Sequence, residues 1–181
     1  MDVVDLYLVH WPVPSRWAVP ETWRAFEKLL ADGAVRAIGV SNFLPAHLER
    51  LLAEAEVVPA VNQFEIHPTY QQRTAQEASR VAGIAVEAYA PIGKGTDLSE
   101  DAVVRAAEAL GVTPAQVVLR WHLQQGRIVI PKSATPERIA SNIDLFGFEL
   151  DEEQMDAITS LERANRLFPN PDEFDATQFR S

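Results

Sequence analysis

Ile128-Val129-Ile130-Pro131-Lys132-Ser133-Ala134-Thr135-Pro136-Glu137-Arg138-Ile139-Ala140-Ser141-Asn142 passes from an apolar strand through a basic polar loop into a helix. Thr135 is a favourable N-cap and Pro136 suits the first helical position. A helix start exposes unpaired N–H groups and partial positive charge, which favours an anion there. Lys132 precedes that start and Arg138 lies in its first turn, with Ser133, Thr135 and Asn142 as neutral donors. The combination reads as a phosphate site. A capped surface helix with two solvated cations is the plainer alternative.

Working outward, the same strand-then-helix unit recurs. Val3–Val9 is a nearly continuous apolar run, which predicts a strand buried on both faces. Further strands are predicted over Val35–Val40, Val58–Phe64, Ile84–Tyr89 and Ile128–Ile130. Helices are predicted over Glu21–Ala31, from Pro45, over Gln71–Ala82, Ser99–Leu110, from the Thr113/Gln116 capping box to Gln125, and from the Asp151/Gln154 capping box. Strand–helix alternation, five times over, means a parallel α/β architecture. The polar motifs choose between a barrel and a doubly wound sheet. His10, Ser41-Asn42, Gln63, Tyr89 and Lys132-Ser133 each fall at or just after the C-terminal end of a different strand. That is the catalytic rim of a (β/α)8 barrel, often with phosphate held after the last strands. No GxGxxG follows any strand, which argues against a dinucleotide fold of the Rossmann type. A five-stranded flavodoxin-like sheet is the alternative.

Composition narrows the function. The chain of 181 residues is 47% hydrophobic and 23% charged, as expected of one globular domain, and the formal net charge is −10. That charge argues against nucleic-acid partners and anionic membrane surfaces. The absence of cysteine excludes disulfides, thiolate metal sites and a thiol nucleophile, and fits a cytoplasmic location. No apolar run reaches about 18 residues, so no membrane span is expected. His47, His67 and His122 read as structural, and no spacing among the histidines suggests a metal site. Ser41 lacks the context of a serine nucleophile. Asn62 and Glu65, flanking Gln63, read as residues that finish the strand with hydrogen bonds.

Five motifs in order resemble the aldo-keto reductase family: Val4-Asp5-Leu6-Tyr7-Leu8-Val9-His10-Trp11-Pro12, Ile38-Gly39-Val40-Ser41-Asn42-Phe43, Val61-Asn62-Gln63-Phe64-Glu65-Ile66-His67-Pro68, Ala88-Tyr89-Ala90-Pro91-Ile92-Gly93 and Ile130-Pro131-Lys132-Ser133. The branch most resembled is that of the bacterial 2,5-diketo-gluconic acid reductases. The resemblance covers the whole chain. It implies a (β/α)8 barrel, here incomplete and beginning at the fourth strand, as a single partial domain over 1–181 with a surface tail over 163–181. Phe168, Phe174 and Phe179 lie in that tail. A complete barrel of this kind takes about 250 residues, so Met1 reads as an internal methionine of a longer frame.

The resemblance also implies roles. His10 would orient the substrate carbonyl, and Ser41, Asn42 and Gln63 would hold the nicotinamide carboxamide. Tyr89 would stack on the nicotinamide ring, with Ala90, Ile92 and Gly93 in the adjoining cofactor loop. Lys132, Ser133, Thr135, Arg138 and Asn142 would clamp the adenosine 2′-phosphate, so the implied cofactor is NADPH. Ser141 stands where close relatives often carry glutamate. Trp11 and Trp17 are candidates for a substrate pocket, with loop packing as the alternative. The implied reaction is reduction of aldehydes or ketones, keto-sugar acids among them, with a small-molecule carbonyl as partner. The family's catalytic tyrosine, lysine and aspartate lie in its first three units, and Tyr7, Tyr70 and Tyr89 do not match the acid. A fragment that binds NADP(H) or a partner without turnover is therefore the competing reading. The family is usually monomeric, whereas open sheet edges beside Val3–Val9 and Ile128–Ile130 would favour self-association.

Overall fold

A computed structural model describes residues 3–175 and 177. Met1 and Phe179, and the expectations attached to them, lie outside the described residues. In chain order the elements are β1 (Tyr7–Val9), α1 (Val19–Ala31), β2 (Ile38–Ser41), α2 (Pro45–Leu52), β3 (Val61–Glu65), α3 (Arg73–Val81), β4 (Ala85–Tyr89), a 3-10 segment (Gly93–Ser99), α4 (Asp101–Leu110), α5 (Pro114–Gln124), β5 (Ile128–Ile130), α6 (Pro136–Ile143) and α7 (Glu152–Thr159). This is an α/β fold with parallel strands. The chain divides into two compact units, one of residues 1–64, 73–86 and 168–181, the other of residues 65–72 and 87–167.

In the first unit β1, β2 and β3 lie side by side, with Val9 opposite Val40 and Ser41 opposite Gln63. Gly39 sits where this packing is tightest. A Cβ there would lie 2.6 Å from the Val61 carbonyl oxygen and 2.7 Å from the Leu8 side chain, so only glycine fits. Trp23 and Phe26 of α1, Leu48 and Leu51 of α2, and Ile38, Val40 and Phe43 form the core. Their spacing along each helix puts them on one face, as burial of an apolar stripe requires. The strand predicted over residues 3–9 is shorter and more exposed than expected. Regular pairing covers only Tyr7–Val9, Val4 makes a single bridge to Val35, and Tyr7 is 45% exposed. The Tyr7 ring stacks on Phe26 of α1 with centroids 4.4 Å apart.

In the second unit β4 pairs with β5, with Tyr89 opposite Ile130. The second core is built on α4, α5 and α7, from Val103, Ala106, Val117, Val118, Trp121 and Ile158. Both predicted capping boxes form. Thr113 Oγ1 accepts from Gln116 N at 3.2 Å, and Asp151 Oδ1 accepts from Gln154 N at 2.8 Å. Thr135 does stand at the N-cap of α6, but its side chain makes no capping bond. Instead its own amide donates to Ser133 Oγ at 3.3 Å, which turns the loop before the helix. The segment expected as a plain loop after β4 contains the 3-10 turn, kinked at Lys94 (φ 53) and Gly95 (φ 94).

Candidate active site

In the first unit the strand ends bring four of the expected residues together. Asn42, the residue after β2, has φ 63, a left-handed conformation that asparagine tolerates better than most side chains. That turn directs its amide inward. Asn42 Nδ2 donates to the His10 carbonyl at 3.0 Å and to Ser41 Oγ at 3.2 Å. Ser41 Oγ and Asn42 N both donate to the Gln63 carbonyl at 2.8 Å. His10, Ser41, Asn42 and Gln63 thus form one backbone-anchored group, with Ser41 and Asn42 buried and the His10 side chain exposed. Asn62 turns the other way and ties Phe43 O and Ser79 Oγ, at 2.9 and 3.1 Å, as a strand-finishing residue should.

Trp11 and Trp17 take different surroundings. Trp11 stacks on Phe174, with centroids 4.1 Å apart and planes 18° from parallel. Phe174 is itself buried, so the surface tail expected over 163–181 is packed down at this point. Trp17 lies near Phe43 and His47 and carries the Arg50 guanidinium 4.1 Å above its ring. His47 Nε2 reaches Asp172 Oδ1 at 3.2 Å while Nδ1 accepts from Leu44 N. Burial lowers the His47 pKa, partly offset by Asp172.

In the second unit Tyr89 ends β4, and Ala90 follows in a left-handed conformation (φ 47) closed by Gly93 N donating to Ala90 O at 2.9 Å. Burial pushes the Tyr89 phenol far above its ordinary range, with the Glu65 carboxylate adding to the effect. Gly93 (φ 58) is packed so tightly that a Cβ would meet the Asp97 carboxylate at 2.6 Å. Beyond this turn lies a cavity of about 480 Å³. Ile92, Lys132, Ser133, Thr135, Arg138 and Asn142 all line it, and Ser141 joins them. Tyr89, Ala90 and Gly93 do not. Among the described residues neither Lys132 nor Arg138 has an acidic partner. Two exposed cations, hydroxyls and the N-terminus of an eight-residue helix around one concavity suit a phosphate-bearing nucleotide.

Two features escaped the sequence reading. Leu98, Thr113, Pro114 and Ala115 form the opposite wall of the cavity. The Thr113 capping box marked a helix start, but nothing in the sequence said that it faced α6. The other is a buried charged cluster, Glu65, His67 and Asp97. His67 Nδ1 lies 2.8 Å from Asp97 Oδ2 and Nε2 lies 3.2 Å from Glu65 Oε1.

The model of the aldo/keto reductase family matches residues 1–163. The chain belongs to that family. An aldo-keto reductase of Mycobacterium sp. (strain JLS) is 51% identical over 177 residues, covering 98% of this chain and 64% of the relative. The glyoxal reductase of Bacillus subtilis (strain 168) is 47% identical, with 96% and 62% covered. A solved mutant of Gox0644 in complex with NADPH superposes with a TM-score of 0.93 at 47% identity, with 96% of this chain and 65% of that one covered. The aldo-keto reductase chain described here therefore spans somewhat less than two thirds of these relatives, and its strands match part of their (β/α)8 barrel. Among the described residues no single helix is long and apolar enough to cross a membrane.

Proposed function

We propose that this chain carries the cofactor-binding part and the carbonyl-orienting histidine of a cytoplasmic, NADPH-dependent reductase of small aldehydes and ketones. The observation that supports it best is the convergence of Lys132, Ser133, Thr135, Arg138 and Asn142 on one cavity at the start of α6. The donor set suits a 2′-phosphate, because the two cations would be wasted on a ribose hydroxyl. When bound, NADPH supplies a hydride to the carbonyl carbon. The chain's own residues hold and orient. Ser41, Asn42 and Gln63 offer amide and hydroxyl groups for the carboxamide, and the Tyr89 ring, held un-ionised by its burial, offers a flat face. His10 would direct the carbonyl oxygen by hydrogen bonding.

A second reading, binding of NADP(H) without turnover, rests on the tyrosines. Tyr7 is stacked on Phe26, Tyr70 is buried under the Arg166 guanidinium, and Tyr89 is the proposed stacking face. None stands free as the acid that must protonate the nascent alkoxide. Fluorescence titration with NADPH and NADH, followed by carbonyl-dependent NADPH oxidation with glyoxal, tests both. Preference for NADPH supports the cofactor assignment. Oxidation at ordinary enzymatic rates would overturn the second reading, and equal weak binding of both dinucleotides would overturn the first.

A further inference from the structure

His67 is fully buried and meets a carboxylate at each ring nitrogen, Asp97 at 2.8 Å and Glu65 at 3.2 Å. Only an imidazolium can donate to both. Thr69 completes the Asp97 side, its amide donating to Oδ2 at 3.1 Å and its hydroxyl to Oδ1 at 3.0 Å. The same Asp97 carboxylate fills the space beside Gly93 that a Cβ would need, and Thr96 bridges the two through Asp97 Oδ1 and the Gly93 carbonyl. Glu65 Oε1 also accepts from the Leu167 amide at 2.6 Å, while its Oε2 is buried without a partner among the described residues. The Thr69 carbonyl accepts from the amides of Arg163 and Asn165. One cation between two buried carboxylates thus ties three separate segments, residues 65–69, 93–97 and 163–167.

We propose that His67 is a positioning residue for the cofactor loop: as a buried imidazolium it fixes Asp97, and through Asp97 the Gly93 turn that follows Tyr89, in the shape that receives the dinucleotide. The inference rests on the NADPH assignment above. The direction of titration agrees. Burial opposes the charge, but the hydrogen bonds to Asp97 and Glu65 outweigh it and raise the pKa to about 9. The titratable or charged groups around this cluster are Tyr70, with centroids 6.1 Å from the His67 ring, Tyr89 beside Glu65, Glu162 and Arg166 beside Tyr70, Arg163 acting on Asp97, and His122 of α5, which is held neutral. Of these only Arg163 and Arg166 are cations, and neither is ion-paired with Glu65 or Asp97 among the described residues. Two carboxylates left together without the imidazolium would repel and hydrate.

The test uses the full 181-residue chain, its His67→Gln variant and, should that variant fail to fold, Asp97→Asn, which keeps the shape and removes one charge. At pH 7 the His67 ring should show both nitrogens protonated by ¹⁵N NMR. Amides of residues 92–99 should exchange with solvent about tenfold faster in the variant, as loss of a charge-assisted bond implies, while those of α4 and α5 keep their protection. The NADPH Kd should rise about tenfold in the variant and, in the wild type, should rise only as pH passes through about 9. A neutral ring at pH 7, or unchanged protection of residues 92–99, overturns the proposal whatever NADPH does. The expected exchange result without NADPH binding by the wild type overturns the cofactor assignment instead and leaves the buried cation standing.

Discussion

The Ser41 hydroxyl donates to the Gln63 backbone carbonyl over 2.8 Å and also accepts from the Asn42 amide. Replacing Ser41 by alanine removes both bonds, but the Gln63 carbonyl keeps its bond from Asn42 N. The Ser41→Ala chain should lose about 1 kcal/mol of stability, read from urea unfolding. Its NADPH affinity should fall further than that figure implies, because the Asn42 side chain loses an anchor. Unchanged affinity would remove Ser41 from the nicotinamide site.

Lys132 and Arg138 line the cavity without acidic partners among the described residues. Lys132→Ala and Arg138→Ala should each weaken NADPH binding about tenfold or more, the usual effect of losing one charge-assisted contact. Binding of NADH, which lacks the 2′-phosphate, should barely change. Equal losses for both dinucleotides would place these cations on some other phosphate.

His47 and His122 are both held neutral. His122 Nδ1 accepts from Arg127 Nε at 3.0 Å while its Nε2 meets the Pro91 carbonyl at 3.0 Å. Burial, with Arg127 adding to it, keeps the pKa of His122 well below its ordinary value, and burial lowers that of His47. The unfolded chain takes up these protons below pH about 6.5, whereas the folded chain takes them up only at lower pH. Their stabilising contribution is therefore present above that pH and lost as pH falls below it. His67, with its raised pKa, acts in the opposite sense. The urea midpoint of His47→Gln should change less between pH 7 and 5.5 than that of the wild type. Equal slopes would show that His47 takes up its proton in the fold as readily as in the unfolded chain.

Ile139, Ile143 and Phe146 stand 46%, 69% and 78% exposed on and after α6, and Ile128 and Ile130 stand 43% and 42% exposed on β5. So much apolar surface near an open strand favours association. The 181-residue chain should sediment with a concentration-dependent mass at micromolar levels, and Ile143→Lys with Phe146→Glu should shift it toward the monomer. A monomer at all concentrations would refute this expectation.

Periodicity carried most of the fold. The apolar spacing of Trp23 and Phe26, the two capping boxes and the strand-end motifs placed the α-helices and strands of the described residues to within about four residues, but not the 3-10 segment over Gly93–Ser99. Local signals failed where cover from a distant residue mattered. Val3 and Val4 have the composition of a buried strand, yet they stand 36% and 40% exposed, with Val4 held by a single bridge to Val35. Thr135 has the chemistry of a cap, yet its side chain leaves the helix start unbonded and the turn is made by Ser133 instead. In the site, the motif residues of each unit were legible because short loops hold them at strand ends. The Glu65–His67–Asp97 cluster was not, since Asp97 reaches it across 30 residues of chain and no periodicity encodes that meeting.

The pair Lys132 and Arg138 stands on a chain whose formal charge is −10. The dinucleotide proposed as ligand is itself an anion, so the net charge of the chain would oppose its approach. At physiological ionic strength that repulsion fades beyond about 8 Å, and the attraction of two cations fades as quickly. On the proposed assignment, capture would be decided in the last nanometre of approach, at the mouth lined by Lys132 and Arg138. On that assignment the two cations would act as a short-range trap rather than as a source of long-range steering.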